Sequence, residues 1–252
     1  MNRIGRLLIC LLLLPLTVPL AFSDEVTTNL QSIIVEDFDN PDASPWFILG
    51  SKFSSIIKTD AGEDVYPKMA FVKAWPEALF RRPPEGKEPK VLGIHGKFDR
   101  KGYNFIEIIP GEKGPDGKLV PRLIPLPGRV KNMDLWVWGS NLDYYLEVHL
   151  MDYRGITHVL NFGDIKHTGW KNIWVNIPTY IPQAVSYAPR YKGLQLVKFV
   201  LWTKPHERVD DFYLYLDQVK IFSDMFETPF DGDALANPEQ VQKLWSEAQG
   251  NK

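Results

Sequence analysis

Five histidines, His95, His149, His158, His167 and His206, are the side chains best suited to proton transfer or metal binding near neutral pH. Their spacing favours neither. No HxH, HExxH or cysteine pairing accompanies them, so the donor pattern of a transition-metal site is missing. There is no GxSxG elbow, no phosphate-cradling glycine loop and, apart from Cys10, no thiol. Glu36/Asp37 and Asp210/Asp211 have the residue types of a glycosidase acid and nucleophile, but that chemistry needs a set separation across a cleft. Glu36 with Asp217 offers oxygen donors for a structural calcium if the first and last strands are neighbours. Such an ion needs six or more oxygens, and the remainder cannot be placed. The expectation is a chain with no catalytic residues, no cofactor and no metal.

Binding chemistry is better represented. Arg81, Arg82, Lys87, Lys90, Arg100 and Lys101 form the densest basic patch, in and beyond a proline-rich stretch that suits neither helix nor central strand. Val241, Leu244, Trp245 and Ala248 recur at helical spacing and fall on one face. Arg81, Arg82, Lys87, Arg100, Lys101, Val241, Leu244 and Trp245 are therefore the candidate partner contacts. Trp136, Trp138, Trp170 and Trp174 offer an aromatic platform as an alternative, although tryptophans at strand spacing are more often core.

The elements that position these groups are mostly strands. Residues 134–178 read as four β-segments rich in aromatic and β-branched side chains, with turn signals between them. One hairpin can be put in register. A turn over residues 152–155 ending on a left-handed Gly155 sets Leu150 opposite His158, Val148 opposite Leu160 and Leu146 opposite Phe162. His149 and His158 then lie on opposite faces. Further strands are expected over residues 33–38, 46–49, 53–57, 69–75, 91–98, 103–109, 195–202 and 212–222. A turn is expected at 61–64, and a long loop over 110–128. In residues 195–202, Val197, Phe199 and Leu201 share a face; in 212–222 the alternation slips, as a β-bulge near Asp217-Gln218 would require. Asn237-Pro238 opens a helix, with a cap followed by proline in the first turn. Many short strands with one terminal helix predict an all-β antiparallel sandwich.

Residues 1–23 have a basic start, an apolar run broken by Pro15 and Pro19, and Ala21-Phe22-Ser23, the pattern of a cleaved secretory signal. Domain boundaries follow: 1–23 signal, 24–230 β-sandwich, 231–252 amphipathic helix and tail. Cys10 leaves with the signal, so the core must hold the mature chain without disulfides. Removing Arg3 and Arg6 from 29 basic residues leaves 27 against 31 acidic, a formal charge of −4, which gives no nucleic-acid footprint. No membrane anchor is expected.

An ordered set of segments carries a family resemblance: LGIHGKFDRKGYN over 92–104, LWVWGSN over 135–141, DYRG over 152–155, GWK over 169–171, and Ile177-Pro178 with Ile181-Pro182-Gln183. Together, from about Val35 to Phe222, the chain resembles the spirochaetal flagellar filament outer-layer (sheath) proteins. The resemblance implies a jelly-roll-like fold similar to carbohydrate-binding modules. It also implies a place on the periplasmic flagellum, with the flagellin core filament and other sheath subunits as partners and an influence on filament shape, stiffness and motility. A periplasmic carbohydrate-binding module and an exported glycoside hydrolase are the alternatives.

Overall fold

The computed structural model describes residues 28–79, 88–99, 101–183, 193–225 and 238–250. Two antiparallel sheets account for most of it. The six-stranded sheet runs β13 (Thr168–Asn176), β10 (Arg129–Ser140), β15 (Phe212–Asp224), β6 (Lys90–Gly96) and β5 (Lys68–Lys73), with β1 (Leu30–Glu36) beside the second half of β15. The seven-stranded sheet runs β12 (Thr157–Asp164), β11 (Tyr144–Met151), β14 (Gln195–Thr203), β7 (Phe105–Lys113) and β2 (Trp46–Gly50). Short strands β8 (Leu119–Pro121) and β9 (Ile124–Pro125) extend it, β3 (Ile56–Thr59) and β4 (Gly62–Val65) form a separate hairpin, and α1 spans Pro238–Gly250. The antiparallel sandwich with a C-terminal helix is as the sequence predicts.

Alternation builds the core. Met133, Leu135 and Val137 of β10 and Leu146, Val148 and Leu150 of β11 turn inward and are fully buried, as period-two patterning requires. The sheets meet ring against ring where Tyr144 approaches Phe212 edge-on at 5.1 Å. At Gly96 a Cβ would lie 2.0 Å from the Phe212 ring, so only glycine lets that ring pack.

The predicted hairpin forms with Leu150 opposite His158 and Val148 opposite Leu160. Gly155 takes φ 84°, and Asp152 accepts its N–H at 2.9 Å. The third pair fails: a bulge puts Leu146 opposite Gly163, although Phe162 still reaches the core. The predicted bulge at Asp217-Gln218 is present, with Gln218 at φ 52° and a register jump between Trp136↔Asp217 and Asp134↔Lys220.

Other expectations need correction. The 61–64 turn is strand from Gly62, because the chain reverses at Asp60-Ala61 and Thr59 pairs with Gly62. The third strand begins at Ile56 rather than Phe53. The 110–128 loop holds the end of β7 together with β8 and β9; Pro110 needs no N–H there and stays paired with Trp46. In β14 a bulge takes Val197 out of step, and Leu196 joins Phe199 and Leu201 in the core. The signal segment and the Asn237 cap lie outside the described residues. Among the described residues, no helix is long and apolar enough to cross a membrane.

Candidate functional site

The carboxylates whose residue types suit catalysis are engaged in holding the fold. Glu36 is buried; one oxygen accepts the Phe38 N–H at 2.9 Å, and the other accepts Trp46 Nε1–H at 3.0 Å and the Ser44 hydroxyl. Arg122 donates to Ser44 Oγ from the far side at 2.9 Å. Both Glu36 oxygens thereby accept hydrogen bonds from within the fold. Among the described residues, no group of three or more His, Cys, Asp or Glu is placed to hold a metal. Asp210 meets Arg208 at 3.1 Å and Asp211 meets His95 at 2.6 Å, both exposed at the surface, so neither stands in a cleft.

His149 and His158 do lie on opposite faces, since His149 opposes Val159 while His158 opposes Leu150. His158 sits 3.0 Å from the buried Asp152. Burial alone would raise the Asp152 carboxyl; His158 and the Ile156 and Arg154 N–H groups overcome it and hold the carboxyl below its ordinary value. This network closes the hairpin turn.

Of the predicted basic patch, Arg81, Arg82, Lys87 and Arg100 lie outside the described residues. Lys101 is exposed, its ammonium 3.5 Å from Asp99. On α1, Val241 is half-buried, Leu244 is 44% exposed and Trp245 is 66% exposed. That apolar face therefore presents two large side chains to solvent instead of packing them away, the common fate of such a stripe.

The four tryptophans leave the core altogether. Trp136 and Trp138 alternate with buried Leu135 and Val137, so they point outward from the six-stranded sheet. Trp170 pairs with Trp138, and Trp174, 59% exposed, pairs with Asp134. The structure brings them onto one face of that sheet. Trp138 meets Tyr215 edge-on at 77°, and the Trp136 Nε1–H is buried without a partner.

The outer face of the seven-stranded sheet is a site the sequence reading missed. Tyr145, Trp202 and Phe105 occupy one cross-strand row over β11, β14 and β7. Tyr145 and Trp202 lie nearly parallel at 14°, and Phe105 is 5.1 Å from Trp202 at a 51° tilt. The adjoining positions hold Glu147, His149, Lys198 and Glu107, all half-buried. Trp202 Nε1–H donates to Glu147 at 2.8 Å, and Lys198 pairs with Glu107. Burial first, and then the Lys198 ammonium, push the His149 imidazole below its ordinary range against the pull of Glu147. The signal was present as Tyr-x-Glu-x-His over 145–149 and Phe-x-Glu over 105–107, outward positions that alternate with core.

A profile of the FlaA family, flagellar filament outer layer protein, matches residues 81–231. A flagellar filament outer layer-like protein of Brachyspira hyodysenteriae is 26% identical over 136 residues, 54% of this chain. The match spans 58% of that relative's length. Among solved structures, TmCBM61 in complex with β-1,4-galactotriose aligns at TM-score 0.37 and 13% identity, covering 76% of this chain and 99% of that one. A family 11 carbohydrate-binding module from Clostridium thermocellum aligns at TM-score 0.39 and 9% identity, covering 78% and 98%. The profile match covers more than half of the sequence, through all of β10 to β15, and on that ground the chain belongs to the flagellar filament outer layer protein family.

Proposed function

We propose that this protein is a structural subunit of the outer layer of a periplasmic flagellar filament, coating a flagellin core and helping to fix filament shape and stiffness, without catalytic activity. The family match over residues 81–231 carries this reading. The engagement of Glu36, Asp152, Asp210 and Asp211 in structural contacts agrees with a binding protein.

Two contact elements serve the coat: the basic stretch around Arg81, Arg82, Lys87, Arg100 and Lys101, and the Val241/Leu244/Trp245 face of α1. Exposed basic residues steer and register docking, while a tryptophan that becomes buried on contact supplies most of the affinity. A contact repeated along a polymer biases it between packings when it binds the two states differently, and a few kcal/mol per subunit is enough.

Deleting the protein is expected to leave flagellin filaments assembled but with altered coiling and impaired motility, as seen by electron microscopy and swimming assays. Trp245→Ala should move the protein at least tenfold toward the soluble periplasmic fraction if α1 is the anchor. Arg81→Glu with Arg82→Glu should do so if the basic stretch is. Deletion filaments with unchanged coiling and stiffness refute the shape role; release by neither variant discards both contact assignments.

A further inference from the structure

We infer that the outer face of the seven-stranded sheet, centred on Tyr145, Trp202, Glu147 and Glu107, is a binding face for an uncharged oligosaccharide. The inference is independent of the coat reading, and it moves any glycan site away from the tryptophans of the opposite sheet.

Ring orientation is the first ground. Tyr145 and Trp202 lie nearly parallel at 14° with centroids 6.5 Å apart, and Phe105 borders Trp202 at a 51° tilt. Near-parallel rings on neighbouring strands form an apolar shelf, stepping at the strand spacing of about 4.8 Å. The faces of such rings are electron-rich and attract weakly positive C–H groups, like those on one side of a sugar ring. On the opposite sheet Trp138 meets Tyr215 edge-on, and the parallel pair there is His95 on Tyr213, an imidazole already held by Asp211.

Charge selects the ligand class. The polar groups beside the shelf are two carboxylates, one ammonium and an imidazole whose proton affinity burial lowers. Each charge already has a neighbour: Lys198 on Glu107, and Trp202 Nε1–H on Glu147. A polyanion would find no free cation here. An aliphatic protein surface would strip water from half-paired carboxylates at a cost it could not repay. Hydroxyl groups suit the site because each both donates and accepts: a donor toward Glu147 or Glu107, an acceptor toward Lys198. Each of these side chains projects from a paired strand and keeps little exposure, so little ordering is needed on binding.

Native affinity gels containing hydroxyethylcellulose, laminarin or galactomannan provide the test, run on the full mature chain. At least one polymer should retard the wild type. Trp202→Ala and Tyr145→Ala should each weaken that retardation at least tenfold, and Glu107→Gln severalfold. Trp174→Ala, on the other face, should leave it unchanged. Circular dichroism and thermal melts identify any variant that fails to fold, and Glu107→Gln is a near-isosteric change that stands in for it. Absence of retardation by every polymer overturns the inference, as does retardation that survives both ring deletions. Loss of filament co-sedimentation in Tyr145→Ala without glycan retardation also overturns it, by making the face a protein contact.

Discussion

Replacing Trp46 with alanine is expected to lower the unfolding free energy by about 4 kcal/mol and the melting temperature by about 10 °C. Trp46 is fully buried at the start of β2. Its ring stacks on Phe199 at 6.2 Å and tilts against Phe38 at 5.3 Å, and its Nε1–H satisfies Glu36 at 3.0 Å. Truncation thus opens a cavity between strands and removes a donor from a buried carboxylate, two effects that act in the same direction. Phe38 adds leverage. It holds φ 58°, unusual for a bulky residue, and its ring reaches the core from that conformation against Trp46. Trp174→Ala is the matched control: an exposed ring on the six-stranded sheet, expected to change stability by no more than about 0.5 kcal/mol. Denaturant melts of both variants check the pair; equal losses would contradict the assignment of Trp46 to the core and Trp174 to the surface.

Asp217→Asn is expected to stabilise the protein in alkaline solution and to leave it nearly unchanged in acid. Asp217 is 1% exposed in the bulge of β15, where Oδ1 accepts the Gln218 N–H at 2.8 Å and Oδ2 has no partner. Burial, and then the negative charges of Asp39 and Asp37, push its carboxyl up to about 8, against the Gln218 hydrogen bond. In the unfolded chain the group titrates near the ordinary value of 3.8. Between those values the folded state holds a proton that the unfolded state has released. The contribution to stability is therefore fully present below about pH 4 and is lost as pH rises through about 8. An asparagine keeps the neutral form at every pH, so its advantage over wild type should grow from near zero at pH 4 to a few kcal/mol at pH 8–9. Comparing the two proteins cancels groups of opposite sign such as Asp152, whose lowered carboxyl adds stability as pH rises. A pH-independent difference would show that Asp217 is ionised in the folded state.

Much of this fold was legible because period-two alternation states which face is buried. Leu146, Val148 and Leu150 set the β11 register and all three are core, and the slipped alternation after Leu216 marked the bulge that holds Asp217. The errors came where pairing overrode local signals. Pro110 reads as a breaker but remains paired with Trp46, and Gly62 reads as a turn but opens β4. The bulge at Leu146/Glu147 has no local sequence mark, because Phe162 stays buried whether or not it is paired. The candidate site was harder still. Tyr145, Trp202 and Phe105 are far apart in sequence, and only the strand order β11-β14-β7 brings them into one row. For Trp136, Trp138, Trp170 and Trp174, residue type suggested core while their phase against Leu135 and Val137 placed them outside.

Fractionation of purified periplasmic flagella tests the coat assignment most directly. Cells are stripped of their outer membrane, flagella are sheared and banded, and each fraction is probed for this chain. The account predicts that it bands with flagellin in a fixed ratio and labels the filaments repeatedly along their length. Recovery solely in the soluble periplasmic or membrane fractions, with unlabelled filaments, would contradict it.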